Sequence, residues 1–129
     1  RVMFKKIDHV EIVTGDLEKT IDFYTETLGF KIQWRRKIER PPMEEIAFIE
    51  LNGSVVELFS VKDPVPASTE QWQVGCRRIA LEVEDMDQTV EYLKTKGVEI
   101  PREPVASGGS KRAEIKDPNG LSIELLQRE

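Results

Sequence analysis

The sequence has little cysteine and no long apolar run, and both absences narrow the kind of protein it encodes. Cys76 is the single cysteine, so no internal disulfide can form, which suits a reducing compartment better than secretion. No apolar stretch approaches the ~20 residues that a membrane-spanning helix needs. The first residues also lack the apolar core and small-residue cleavage site of a secretory signal. We therefore expect a cytoplasmic protein that does not bind a membrane.

Concentrated positive charge is missing as well. The formal net charge is -5, and the longest basic tract is Arg35-Arg36-Lys37. A protein that binds a phosphate backbone needs a dense cationic face, so we expect no nucleic-acid partner. The 129 residues are 39% apolar and 33% charged, which is typical of one globular domain with a core of its own.

The chain contains two copies of one pattern. Residues 8–12 align with residues 77–81, and Asn52-Gly53 aligns with Asn119-Gly120. Each copy has a strand pattern, then an amphipathic helix, then three more strand patterns. We therefore predict an α+β fold in which residues 1–129 form a single domain. It contains two βαβββ units, at about 4–60 and 76–127, joined by a linker at 61–75.

Capping and turn residues set the predicted boundaries. The helices should begin after Asp16 and Asp85, which are good N-caps, and end at Gly29 and Gly97. Turns are predicted at residues 52–53 and 117–120. The predicted strands are 7–13, 31–36, 45–51 and 54–60 in the first copy, and 78–83, 99–102, 111–116 and 121–126 in the second.

Strand alternation places ionisable residues on one face of each predicted sheet. His9 and Glu11 share a face of the first strand, and Glu57 lies on that side of the last strand of the same copy. Arg78 and Glu124 hold the equivalent positions in the second copy. Such charges are costly in apolar strands unless they are paired, metal-bound or solvated. A solvated face would explain them, but their repetition favours a shared site.

The motifs resemble those of a known family. The segment I-D-H-V-E-I-V-T-G-D-L at the start of residues 7–30 and D-P-N-G-L-S-I-E-L at 117–125 are similar to the vicinal-oxygen-chelate superfamily of glyoxalases, bleomycin-resistance proteins and dioxygenases, and in particular to glyoxalase I and methylmalonyl-CoA epimerase. The resemblance implies a cupped mixed sheet with the helices outside, a small-molecule ligand and a homodimer. It also implies a lyase or isomerase, similar to lactoylglutathione lyase or to the epimerase.

The resemblance further implies a divalent metal ion, such as Zn, Ni, Co, Mn or Fe. Its ligands would come from the first and last strand of each unit, which here supply His9, Glu57, Arg78 and Glu124. Most metal-dependent relatives have a histidine where this chain has Arg78, and a guanidinium has no lone pair to donate. The predicted metal ligands are therefore His9, Glu57 and Glu124, and the predicted catalytic residues are Glu124, Glu57 and Arg78.

Two interpretations of Arg78 stay open. In the first, a metal is bound, Glu124 or Glu57 moves a proton next to a carbonyl, with Glu11 as a further carboxylate candidate, and Arg78 touches the substrate. In the second, Arg78 replaces the metal as counter-charge to Glu57 or Glu124, which gives a metal-free binding protein of the bleomycin-resistance type. Even without metal, Arg78 could stabilise an oxyanion.

Overall fold

A computed structural model describes residues 2–129, which divide into two compact units, one ending at Pro66 and the other beginning at Ala67. This boundary lies inside the predicted linker at residues 61–75. Each unit contains a four-stranded mixed sheet and a helical segment, in the predicted βαβββ order. The repeat read from the sequence is thus confirmed as a repeat of structure, while the prediction that both units form one domain stays a prediction.

The first unit is bounded by the caps and turns that the sequence predicts. Its elements are β1 (Val10–Thr14), α1 (Leu17–Asp22) with a π-helical continuation (Phe23–Thr27), β2 (Lys31–Arg40), β3 (Met43–Leu51) and β4 (Ser54–Val61). The strand order is β1-β4-β3-β2, with only β1 and β4 parallel. The Asp16 carboxylate accepts a hydrogen bond from the Lys19 N–H at 3.0 Å. Asn52 and Gly53 both have positive φ, 48° and 90°, as a type I′ hairpin turn requires.

The second unit repeats this arrangement. Its elements are β5 (Ile79–Glu82), α2 (Met86–Thr95), β6 (Arg102–Ser107), β7 (Ser110–Lys116) and β8 (Ser122–Arg128). The strand order is β5-β8-β7-β6, again with only one parallel pair, β5 and β8. Asp85 caps α2 by accepting from the Gln88 N–H at 3.0 Å. The Asp117 carboxylate closes the last turn by accepting from the N–H groups of Asn119 and Leu121.

Several strand boundaries differ from the prediction; β2, for example, continues to Arg40 instead of ending at residue 36, and β3 begins at Met43 instead of residue 45. Strand β1 starts at Val10, not at residue 7, because its parallel pairing with β4 begins at Val10 and Val56. The predicted strand at 99–102 is wrong: β6 begins at Arg102 because its partner β7 sets its position through the tight turn between Ser107 and Ser110.

Each sheet buries one face beneath its own helical segment. In the first unit Ile12, Ile49 and Leu58 are buried together with Ile21 and Tyr24 of the helical segment. The second unit has the same arrangement, with these buried residues: Met86, Val90, Leu93, Ile115, Ile123 and Leu125. Burial of such side chains contributes roughly 1.5–3 kcal/mol each. The opposite sheet faces are therefore the ones that carry the ionisable residues. Neither helix in the described part of the chain has the length and apolarity to cross a membrane.

The N-cap of α2 gives a direct test of this local structure. Replacing Asp85 with Ala removes the acceptor for the Gln88 N–H and should lower the free energy of unfolding by about 1 kcal/mol. Glu84→Ala removes the same charge one residue earlier, at an exposed position, and should have little effect. Urea unfolding followed by circular dichroism would measure both, and equal losses would contradict the capping role.

Candidate functional site

A row of side chains crosses the face of the first sheet that is turned away from its helix. The strand register pairs Trp34 with Phe48, Phe48 with Glu57, and Glu57 with Glu11. Directly paired residues share a sheet face, so these four side chains lie side by side from β2 to β1. The His9 ring joins them, edge-on to Phe48 with ring centroids 5.1 Å apart. We call these five residues the first-unit site: His9, Glu11, Trp34, Phe48 and Glu57.

His9 is held between three carboxylates. Its Nδ1 lies 2.8 Å from Asp8 Oδ2, and its Nε2 lies 3.3 Å from both Glu11 Oε2 and Glu57 Oε1. A carboxylate only accepts hydrogen bonds, so the contact with Asp8 requires the proton on Nδ1. In the neutral imidazole with its proton on Nδ1, the lone pair on Nε2 faces Glu11 and Glu57, whereas the protonated ring donates to carboxylates from both nitrogens.

The charges at this site act on one another. The pKa of His9 is raised, mainly by its hydrogen bond to Asp8 and also by Glu11 and Glu57, while partial burial opposes the shift. The pKa of Glu57 is raised above 4.5, first by burial and then by the negative charge of Glu11, while His9 lowers it. Glu57 is only 7% exposed. Two carboxylates beside one imidazole form a site whose charge favours a cation.

The donor atoms of the first-unit site fit a divalent metal ion. One ligand atom each from His9, Glu11 and Glu57 lies within 4.8 Å of the others. Imidazole nitrogen and carboxylate oxygen are ligands that zinc and related ions accept. Two atoms bound tetrahedrally at about 2.0–2.1 Å lie roughly 3.3 Å apart, and both contacts of His9 Nε2 have that length. Three protein ligands would leave a coordination position open for substrate.

The second unit has an ion-pair network in the equivalent place. Arg78 Nη2 donates to Glu124 Oε2 at 2.5 Å, and its Nη1 lies 3.8 Å from Glu114 Oε2. Arg112 Nη1 donates to the other oxygen, Glu124 Oε1, at 2.7 Å. Ser122 Oγ donates to Glu114 at 2.5 Å. In this cluster both oxygens of Glu124 accept from guanidinium groups. We call the five residues the second-unit network: Arg78, Arg112, Glu114, Ser122 and Glu124.

The predicted site residues thus form two pairs, each within one unit. His9 meets Glu57 in the first unit, and Arg78 meets Glu124 in the second. The interpretation of Arg78 as counter-charge to one of the two glutamates agrees with its contact to Glu124. Whether these residues bind metal or act in catalysis stays a prediction.

Several contacts escape the sequence analysis. Strand alternation assigns Asp8 to the opposite face from His9 and so misses their hydrogen bond, because the chain becomes a strand only at Val10. Arg112 and Glu114 were not predicted to take part. Glu114 pairs with Glu124 and Arg112 pairs with Leu126, so both lie on the same face of β7, and charges alternating along a half-buried strand are the signal that identifies them.

Comparison with known proteins identifies the family. Residues 6–125 match the profile of the Glyoxalase/Bleomycin resistance protein/Dioxygenase superfamily, and the chain belongs to this superfamily. It is 36% identical over 126 residues to lactoylglutathione lyase GLX1 of Arabidopsis thaliana, across 93% of this chain and 43% of that protein. It therefore spans less than half the length of this plant relative. It is also 34% identical to a lactoylglutathione lyase of Neisseria meningitidis, across 93% of this chain and 88% of that protein.

Other relatives match along their whole length or in structure. The uncharacterized protein YwkD of Bacillus subtilis is 35% identical, with 98% of this chain and 100% of that protein aligned. A glyoxalase family protein from Enterococcus faecalis has a TM-score of 0.84 at 26% identity, covering 97% and 99% of the two chains. The trypanothione-dependent glyoxalase I of Leishmania major has a TM-score of 0.78 at 28% identity, covering 96% and 87%. These matches confirm the predicted fold class.

The raised pKa of Glu57 has a consequence for stability. Because the folded state holds this proton more tightly than the unfolded chain does, the ionised carboxylate destabilises the folded protein above its folded pKa. In chelator-treated protein at pH 7, Glu57→Gln should therefore raise the free energy of unfolding, by on the order of 1 kcal/mol. The gain should disappear as the pH falls below 4.5, where the carboxyl is protonated in both states.

Urea titrations at several pH values would measure this difference. Glu39→Gln, which changes an exposed carboxylate of β2, is the matched control and should show no such pH-dependent gain. A Glu57→Gln variant less stable than the parent at neutral pH would contradict the assignment of Glu57 as a desolvated carboxylate.

Proposed function

We propose that this protein is a glyoxalase I-type enzyme, a lyase or isomerase that moves a proton next to a carbonyl with the help of a divalent metal ion. The observation that carries the proposal is the grouping of His9, Glu11 and Glu57 donor atoms within 4.8 Å on one sheet face. The relatives named lactoylglutathione lyase support the same reaction class. We also propose that the protein is cytoplasmic and dimeric, as the sequence predicts.

His9 and Glu57 would be the core of the metal site, and the sequence predicts Glu124 as a third ligand. A bound divalent ion supplies stabilisation of the negative charge that develops on a carbonyl oxygen when a neighbouring proton is removed. The protein must supply the group that takes up this proton. Both predicted candidates, Glu57 and Glu124, are carboxylates with low exposure of 9% and 13% for their side chains.

The surroundings of the two carboxylates favour Glu57 as the proton carrier. The basic group beside Glu57 is the imidazole of His9, which leaves a carboxylate oxygen that no guanidinium of the second-unit network holds. Glu124 already accepts from Arg78 and from Arg112, so it would have to give up a guanidinium contact to reach a substrate proton. Arg78, held by Glu124, would be available to orient an anionic oxygen of the substrate.

The aromatic part of the first-unit site would bind the apolar portion of the substrate. Trp34 and Phe48 have ring centroids 4.4 Å apart, and Phe48 also contacts the His9 ring. The guanidinium of Arg36 lies 4.5 Å from the centroid of the Trp34 ring. A ligand with an apolar group beside a negatively charged group would match these neighbours.

A metal-free binding protein is the second candidate function. It is favoured by the contact of Arg78 with Glu124, since a guanidinium neutralises this carboxylate and has no lone pair to offer a metal. In that case an apolar small molecule should quench Trp34 fluorescence saturably after chelator treatment, and added metal should not change the affinity.

The enzymatic proposal is tested with the hemithioacetal formed from methylglyoxal and glutathione. Protein loaded with Zn²⁺, Ni²⁺ or Co²⁺ should convert it to the thioester, and Glu57→Gln should lower kcat/KM by about 10²–10⁴-fold, the range for loss of a general base. Glu39→Gln should retain the activity. Absence of turnover with every metal, on this substrate and on acyl thioesters offered for epimerisation, would overturn the proposal.

A further inference from the structure

We propose that Glu11 is the third metal ligand, so that the first unit alone holds the ion through His9, Glu11 and Glu57. This inference rests on the metal-dependent form of the proposed function and replaces Glu124 in the predicted ligand set. Three independent features of the first-unit site support it: the positions of the donor atoms, the orientation of the His9 ring, and the balance of charge.

The backbone places Glu11 for this role. It follows His9 by two residues, and the register pairs it directly with Glu57 on the neighbouring parallel strand. Its Oε2 lies 3.3 Å from His9 Nε2, the same distance at which Glu57 Oε1 lies. The side chain of Glu11 is 59% exposed, so it can adjust to an ion without disturbing packing.

The orientation of His9 matches that of a metal ligand. When the ring is neutral, the hydrogen bond from Nδ1 to Asp8 favours the tautomer whose Nε2 lone pair faces Glu11 and Glu57. A carboxylate on the far nitrogen is a common partner of metal-binding histidines, because it fixes the ring and increases its basicity. The edge contact with Phe48 limits rotation of the ring from the other side.

The charge balance differs between the two copies. In the second unit, Arg78 and Arg112 already balance Glu124. Glu57 is buried, and its basic neighbour among the described residues of the first unit is His9. A buried carboxylate next to another carboxylate needs a cation, and a dication would balance Glu11 and Glu57 together.

The repeat shows that the extra carboxylate accompanies the histidine. Glu11 lies opposite Glu57 in the first unit, and the corresponding position opposite Glu124 in the second unit is Ala80. The copy with a ligating side chain, His9, therefore has the additional carboxylate, and the copy with Arg78 lacks it. Glu11 supplies the third donor that Arg78 cannot.

Calorimetric titration of the chelator-treated full chain with Zn²⁺ would test the inference, with the absorption spectrum of the Co²⁺ complex as a second readout. Loss of a partner that only supports a metal ligand weakens metal binding about 10- to 100-fold. Glu11→Gln removes a proposed direct ligand, so it should weaken binding by about tenfold or more. Asp8→Asn should also weaken binding. Glu124→Gln and the control Glu39→Gln should leave the affinity unchanged, and Glu11→His, which restores a donor, should regain binding.

The outcomes separate this inference from the proposed function. Parent-like affinity in Glu11→Gln, or a loss in Glu124→Gln as large as in His9→Gln, would overturn the role of Glu11, as would a parent protein that binds neither Zn²⁺ nor Co²⁺. Metal binding that depends on Glu11 without any turnover of the hemithioacetal would leave the inference standing and overturn the enzymatic proposal.

Discussion

The contact between His9 and Glu57 is the interaction on which the chemistry of the first unit depends. A carboxylate that is 7% exposed is costly to keep ionised, and the imidazole at 3.3 Å compensates for only part of this cost. The neighbouring Glu11 increases the local negative charge. The result is a buried, only partly compensated carboxylate in the sheet, and groups of this kind are common at functional sites.

The two units use the same topology for different electrostatics. In the first, aromatic rings and carboxylates line one face of the sheet, with the negative charge in excess. In the second, Arg78 and Arg112 neutralise Glu124, and a serine hydroxyl contacts Glu114. A repeated scaffold thus gives one copy that is suited to bind a cation and one in which the acidic group is already compensated.

The sequence predicts most of the fold because its signals are local. Asp16 and Asp85 accept the capping hydrogen bonds expected of them, and Asn52-Gly53 adopts the expected turn. The predicted strand boundaries are wrong where pairing with a distant strand sets them, as it does for β6 and its partner β7. Alternation and repetition select His9, Glu57, Arg78 and Glu124, but the structure shows which of them pair.

Contacts such as those of Asp8 and Arg112 depend on side-chain reach, which alternation alone does not specify.

The parallel pairing of β1 with β4 has a further consequence. His9 precedes the first strand of the unit and Glu57 belongs to its last strand, so their contact exists only after the whole βαβββ chain segment has closed on itself. The α1 cap joins residues that are close in sequence, whereas the imidazole and the carboxylate come from opposite ends of the unit. A cation held by both His9 and Glu57 would therefore bind only a chain in which β1 and β4 have paired.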